Sequence, residues 1–247
     1  MARLSVNVNK VATLRNSRGG AIPSVLQAVE VCIDAGAPGI TVHPRADERH
    51  IRRADVREIA ARLASVRGRV ELNIEGDPRP DLIALVEEVL PDQCTLVPVV
   101  PGEITSQAGW SPASRSEELR QAIRRLKDAG VRISLFVDPE EEPIRWAAST
   151  GADRVELYTE PFARSFERGD GQRSFAAYAR AAELAVSLGL GVNAGHDLDL
   201  DNLTLFRTLP HLDEVSIGHA LIGHALFVGL DHAVRDYLTA LTDPHRP

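Results

Sequence analysis

Apolar positions along the chain gather into eight short runs: Leu4 to Val8, Gly39 to His43, Val70 to Ile74, Thr95 to Val99, Arg132 to Val137, Arg154 to Tyr158, Gly191 to Ala194 and Glu214 to Ile217. They are rich in Val, Ile and Leu and bounded by turn-forming residues, which predicts strands. Most read as near-continuous apolar stretches rather than clean alternations, the pattern of a parallel sheet covered on both faces.

Each run is followed by apolar residues at helical spacing. Leu82, Ile83, Val86, Val89 and Leu90 give one apolar face to a helix opening at Pro80, where a proline without an N–H fits the first turn. Ser114 and Glu117 have capping-box spacing ahead of Leu119, Ile123 and Leu126, and Gly130 stops that helix. The same stop recurs at Ala35-Gly36, Thr150-Gly151 and Leu188-Gly189, each time just before a strand. Eight such units in 247 residues predict the α/β class, a (β/α)8 TIM barrel in which residues 1–247 form a single catalytic domain. An open doubly wound sheet is the second choice.

The turns from helix back to strand are short, whereas three strand-to-helix connections are long: Asn9 to Pro23, Pro98 to Ala113 and Thr159 to Arg173. In a barrel all three crown the carboxyl ends of the strands, where catalysis is built. Gly102, Gly109 and Trp110 in the second fit either a lid over substrate or a plain exposed loop.

Composition narrows the partners. A formal net charge of -7 and 4% aromatic residues disfavour nucleic acid. The opening MARLSVNVNK contains no apolar run of signal-peptide or membrane-span length, so no membrane partner and a cytoplasmic location are expected. Cys32 and Cys94 sit in apolar patterns and are expected as buried free thiols.

The candidate chemistry lies on the barrel rim. His43 ends the second strand, Glu71 lies in the third and His196 follows the seventh, bringing together two imidazoles and a carboxylate, groups suited to moving protons near neutral pH. Glu156 repeats the Glu71 pattern on the sixth strand; for both acids a structural ion pair is the alternative. Gly218 and His219 follow the eighth strand, where a helix N-terminus can hold phosphate. Arg15, Arg18, Arg45 and His50 add cations for a second anionic group. Lys10 and Lys127 are the only lysines; Lys10, on the rim, is expected to bind phosphate or a hydroxyl rather than to form a Schiff base.

The segments VNVNKVATLRNSRGG, GITVHPRADERHI, RVELNIEG, LVPVVPGEITS, RVELYTEP, GVNAGHDL and SIGHALIG, in this order, resemble the pyridoxine 5'-phosphate synthase family of the deoxyxylulose-dependent vitamin B6 pathway. The resemblance runs from residue 4 to about residue 230. It implies a barrel with extra helices assembled as a homo-octamer, with no metal or organic cofactor. The implied reaction condenses 3-amino-2-oxopropyl phosphate with 1-deoxy-D-xylulose 5-phosphate, releasing phosphate and water. Matched by position, His43 and Glu71 fall on the bases, His196 on the proton donor and Glu156 on the transition-state stabiliser. Asn7, Arg18, Gly218 and His219 would hold the aminoketone phosphate; Arg45, His50 and Thr105 would meet the sugar phosphate, with Asn9, Lys10 and Asp197 beside them.

Two departures mark this chain as a variant. Asn9-Lys10 stands where the better-known motif has Asp-His, and Asp197 stands where it has Gly. A metal-dependent isomerase or aldolase using His43, Glu71 and His196 as ligands, and a barrel that binds phosphates without turnover, are the alternative functions.

Overall fold

A computed structural model of the chain describes residues 2–98, 108–113 and 116–242. Strands β1 (Arg3–Asn7), β2 (Gly39–Val42), β3 (Glu71–Gly76), β4 (Gln93–Leu96), β5 (Arg132–Val137), β6 (Arg154–Tyr158), β7 (Gly191–Gly195) and β8 (Leu212–Ile217) pair in parallel in chain order, and β8 returns to β1 to close a barrel. Around it lie α1 (Asn9–Asn16), α2 (Val25–Asp34), α3 (Arg53–Leu63), α4 (Pro80–Val89), α5 (Ser116–Asp128), α6 (Glu141–Thr150), α7 (Glu160–Glu167), α8 (Gly171–Ser187), α9 (Leu203–Phe206), α10 (His219–Val228) and α11 (Leu230–Thr242). All eight expected strands are present, and Gly151 ends α6 at a φ of 88°, a left-handed turn open to glycine.

The strands alternate more sharply than the sequence suggested. Leu4, Val6, Ile40, Val42, Ile74, Leu96, Ile133, Leu135, Val155, Leu157, Val192 and Val215 face outward and form one continuous apolar cluster with Val29, Ile59, Val86, Ile123, Ile144 and Ala182 of the helices. Each such burial contributes about 1.5–3 kcal/mol. Most inward positions are polar, Phe136 of β5 being an apolar exception beside the pocket. Ser5 and Thr41 hydroxyls lie 2.6 Å apart, Asn73 donates to Thr41 at 3.3 Å, and Thr95 donates to Asn73 at 3.0 Å. Across the axis, Asn193 of β7 donates to Gln93 of β4 at 3.3 Å. Small and hydroxylated inward residues among aliphatics produced the near-continuous apolar reading.

Two of the three expected long loops contain helices. Segment 9–23 begins with α1, which buries Val11, Ala12 and Arg15, and 159–173 contains α7, whose Pro161 sits in the first turn. In the remaining segment, Ser114 of the expected cap, Gly102 and Thr105 fall outside the described residues. Its Trp110 is anchored rather than lid-like: the indole Nε1 donates to the Leu96 carbonyl at 2.8 Å and the backbone N–H to the Phe136 carbonyl at 2.8 Å. Gly109 packs so close to β5 that a Cβ there would lie 2.4 Å from the Val137 Cα. Both cysteines are free and buried. Among the described residues no helix is long and apolar enough to cross a membrane.

Candidate active site

At the carboxyl end of the strands a pocket encloses about 350 Å³. Its lining includes Asn7, Asn9, Lys10, His43, Arg45, His50, Glu75, Glu156, His196, Asp197, Gly218 and His219. Of the expected site residues, Glu71, Arg18 and Thr105 are not among them. Thr105 lies outside the described residues, and Arg18 is exposed in the turn after α1. Arg15 is also absent from the lining. Its guanidinium is buried against Asp55, at 2.5 and 2.9 Å, and donates to the His50 carbonyl at 3.2 Å, tying α1 to the segment that carries His50.

Glu71 is corrected by Glu75. Both project inward from β3, but Glu71 opens the strand at the amino end of the barrel, where Arg3 donates to it at 2.6 Å and Arg132 donates from the other side. Four residues on, at about 3.3 Å per residue, the chain has crossed the barrel and Glu75 reaches the pocket. The missed signal was parity: the two acids share a face, and the one nearer the carboxyl end of the strand belongs to the catalytic rim.

Glu75 lies among neutral donors, with Asn7 donating at 3.4 Å and Ser216 at 3.5 Å, and the His43 Nδ1 at 3.9 Å from its Oε2. Burial first, and then the Glu214 charge, push its carboxyl up to about 8. Burial holds His43 well below the usual imidazole range, assisted by His50, Arg45, Arg79 and His196. Its Nε2 is buried without a hydrogen-bond partner among the described residues, while the Asn9 side-chain oxygen accepts from its backbone N–H at 2.9 Å. His43 and Glu75 thus lie side by side with both pKa values moved by burial, the imidazole downward and the carboxyl upward.

His196 stands on the opposite side, its ring centroid 5.2 Å from Phe136 and 5.3 Å from Tyr158. Burial lowers its pKa, against the opposing charges of Asp197 and Glu160. His196 and Asp197 adopt φ values of 83° and 56°, a left-handed pair that Thr159 braces, its backbone N–H donating to the Gly195 carbonyl at 3.0 Å and its hydroxyl to the His196 carbonyl. The need for a left-handed residue at 197 explains why Gly also suits it. Below them Glu156 is buried, and burial raises its pKa well above the carboxylate range, with Glu75 and Glu214 adding to the rise.

One side of the pocket is built from backbone that could receive an anion. Gly218 precedes α10, and a Cβ there would lie 3.0 Å from the Asn7 Cβ, a contact that would require β1 to give way by a few tenths of an ångström. The first turn of α10 then presents N–H groups beside His219 and Ala220 in the lining, with no acidic side chain among its residues. Across the pocket Arg45 and Lys10 supply a second cationic region, with His50 beside them. Burial and Arg45 bring His50 down to about 4, so the imidazole there is neutral, and its Nδ1 accepts from the Ile51 N–H at 2.9 Å. Among the described residues no group of three or more His, Cys, Asp or Glu side chains is arranged to hold a metal ion.

Comparison with known proteins agrees on one family. Residues 4–243 match the family described as pyridoxal phosphate biosynthesis protein PdxJ. The chain is 51% identical over 238 residues to the pyridoxine 5'-phosphate synthase of Porphyromonas gingivalis, covering 96% of this chain and 98% of that one. It is 51% identical to the Christiangramia forsetii enzyme of the same name, covering 98% of this chain and 100% of that one. Among solved structures, a thiamine phosphate pyrophosphorylase from Pyrococcus furiosus superposes with a TM-score of 0.64 at 13% identity, covering 99% of this chain and 97% of that one. A native KDPGal structure gives 0.62 at 11%, covering 98% and 95%. These two likenesses speak for the barrel fold alone.

Proposed function

We propose that this chain, which belongs to the PdxJ family of pyridoxal phosphate biosynthesis proteins, makes pyridoxine 5'-phosphate by condensing 3-amino-2-oxopropyl phosphate with 1-deoxy-D-xylulose 5-phosphate. It is an enzyme of vitamin B6 biosynthesis. The observation that carries the reaction is one pocket that sets His43 beside Glu75 between a helix N-terminus and a separate cationic wall. Two phosphorylated substrates need two anion sites, and a ring closure that expels water and phosphate needs acids and bases between them.

In this reading the aminoketone phosphate rests on the N–H groups at Gly218 and His219 beside Asn7, and the sugar phosphate meets Arg45, His50 and Lys10. His43, through an Nε2 unpartnered among the described residues, and Glu75 act as bases, His196 as proton donor, and Glu156 stabilises developing charge as a neutral acid. The reading calls on no metal or organic cofactor, since the acids and bases of the pocket are of the kind that serve proton transfers, additions and eliminations. The cytoplasm is the compartment, since phosphorylated substrates do not cross lipid unaided. The chain assembles with copies of itself, as an octamer; Leu226, Phe227 and Val228 on α10, 70%, 89% and 40% exposed, support an interface there.

The test is direct: mix the purified protein with both substrates and follow pyridoxine 5'-phosphate by its absorbance and mass. Absence of product in metal-free buffer that turns to activity on adding a divalent ion would favour a metal-dependent enzyme. Absence under both conditions leaves a binding barrel.

A further inference from the structure

The peptide that joins His50 to Ile51 is held from both sides. Its carbonyl accepts from Arg15 Nη2 at 3.2 Å and from Asn16 Nδ2 at 2.8 Å, and its N–H donates to the His50 Nδ1 at 2.9 Å. We propose that Arg15 and Asp55 are positioning residues: by gripping this peptide they fix His50 as the tautomer whose Nε2 carries the proton, a donor for the sugar phosphate.

The tautomer follows from the hydrogen bonds. An imidazolium has no acceptor nitrogen, and a neutral ring accepts only through the nitrogen that bears no proton. Nδ1 receives the Ile51 N–H, so the ring is neutral and its proton is on Nε2. His50 lines the pocket together with Arg45 and Lys10. An ionised phosphate oxygen only accepts, so this tautomer offers it a hydrogen bond, whereas the other would turn a lone pair toward it.

Arg15 and Asp55 set the direction of that peptide. The amide is planar, so the line of the carbonyl dictates the line of the N–H. Arg15 and Asp55 are both buried and meet through a fork of two contacts, Nη1 to Oδ1 at 2.5 Å and Nη2 to Oδ2 at 2.9 Å, which fixes the plane of the guanidinium. Its Nε donates to the Asn16 Oδ1 at 3.0 Å, and this turns the Asn16 Nδ2 toward the His50 carbonyl. Asp55 is held in turn by the Arg52 N–H, which donates to it at 2.7 Å just before α3. Residues of α1 and α3 thus converge on one peptide. Their two charges cancel, so what the pair supplies to the pocket is orientation.

The inference rests on the function proposed above for the substrate that His50 meets, but its first test needs no substrate. In protein carrying 15N-labelled histidine, with His50 assigned from the signals lost in His50→Gln, the ring at pH 7 should show a protonated Nε2 and a bare Nδ1. A protonated Nδ1 in the wild type overturns the proposal. Arg15→Lys, which keeps the charge but loses the fork, and Asp55→Asn should shift His50 toward a mixture of both tautomers. In turnover both variants should raise KM for 1-deoxy-D-xylulose 5-phosphate about tenfold, with kcat and KM for 3-amino-2-oxopropyl phosphate within about twofold of wild type. Asn16→Ala, which leaves the buried pair in place, should give the same split at smaller size; it decides where the other two variants do not fold, and no split in it overturns the proposal. Equal rises in both KM values, or a lower melting temperature with the His50 tautomer unmoved, would make the pair merely structural. A wild type that makes no product would refute the proposed function and leave the tautomer measurements to judge the inference on their own.

Discussion

Glu71 and Glu75 project from the same face of β3 yet belong to opposite ends of the barrel. Glu71 is clasped by Arg3 and Arg132, and Glu75 lies 3.9 Å from the His43 Nδ1. One strand therefore supplies a structural ion pair at its amino end and a pocket carboxyl at its carboxyl end.

The two acids should part company on substitution. Glu75→Gln keeps shape and hydrogen bonds to Asn7 and Ser216 but removes the base, so kcat should fall by about 10²–10⁴ with little change in melting temperature. Glu71→Gln should retain most activity and lose about 1–2 kcal/mol of stability, because two guanidiniums lose their partner. Steady-state rates and thermal melts of the pair decide; a dead Glu71→Gln that melts like wild type would return the catalytic role to Glu71.

Glu75 also dictates a pH dependence. Its carboxyl, pushed up to about 8, must lose a proton to act as a base, so kcat/KM should rise with pH by about tenfold per pH step and level off near 8. The linked effect on stability has the opposite direction. A folded pKa above the ordinary value of 4.5 means the folded state binds this proton more tightly; the stabilisation is complete below 4.5 and is lost as pH rises through about 8. Wild type should melt lower at pH 9 than at pH 6, and Glu75→Gln should narrow the gap. An equal gap in both proteins would contradict the shift.

Lys10 acts electrostatically on both His50 and His196, lowering the pKa of each. Lys10→Ala should raise KM for the sugar phosphate about tenfold, the loss of one charge-assisted contact, and change kcat much less. The imidazole signals of His50 and His196 should titrate at higher pH in the variant. A borohydride-trapped adduct on Lys10 would show covalent chemistry instead.

Asp197 occupies a left-handed conformation and raises the His196 pKa by its charge. Asp197→Gly should remove the conformational cost, stabilising by up to about 1 kcal/mol, and should move the His196 titration to lower pH. Histidine NMR titration and a melt measure both; a His196 signal that rises would reverse the assigned sign.

The barrel was legible because strand runs, Gly stops such as Gly130, and Pro80 at a first turn are local signals, and local signals survive folding. So were His43, His196, Gly218 and His219, because a residue just past a strand lands on the catalytic rim wherever the barrel closes. Glu71 misled because its distance along the axis depends on where β3 begins, a boundary the apolar pattern leaves uncertain by a few residues. Arg15 looked like a phosphate cation because its partner Asp55 lies forty positions away, a pairing that only the docking of α1 on α3 reveals. Helices α1 and α7 were hidden by weak periodicity and by a proline that reads as a breaker yet fits a first turn.

The inward-polar, outward-apolar strands give this barrel an annular hydrophobic core, a sleeve between sheet and helices rather than a filled centre. Folding is secured by the sleeve. The lumen is then free to be written in hydrogen bonds and charge, so a new acid, amide or hydroxyl can be introduced along the axis and judged by the chemistry it changes, while the sleeve continues to hold the shape.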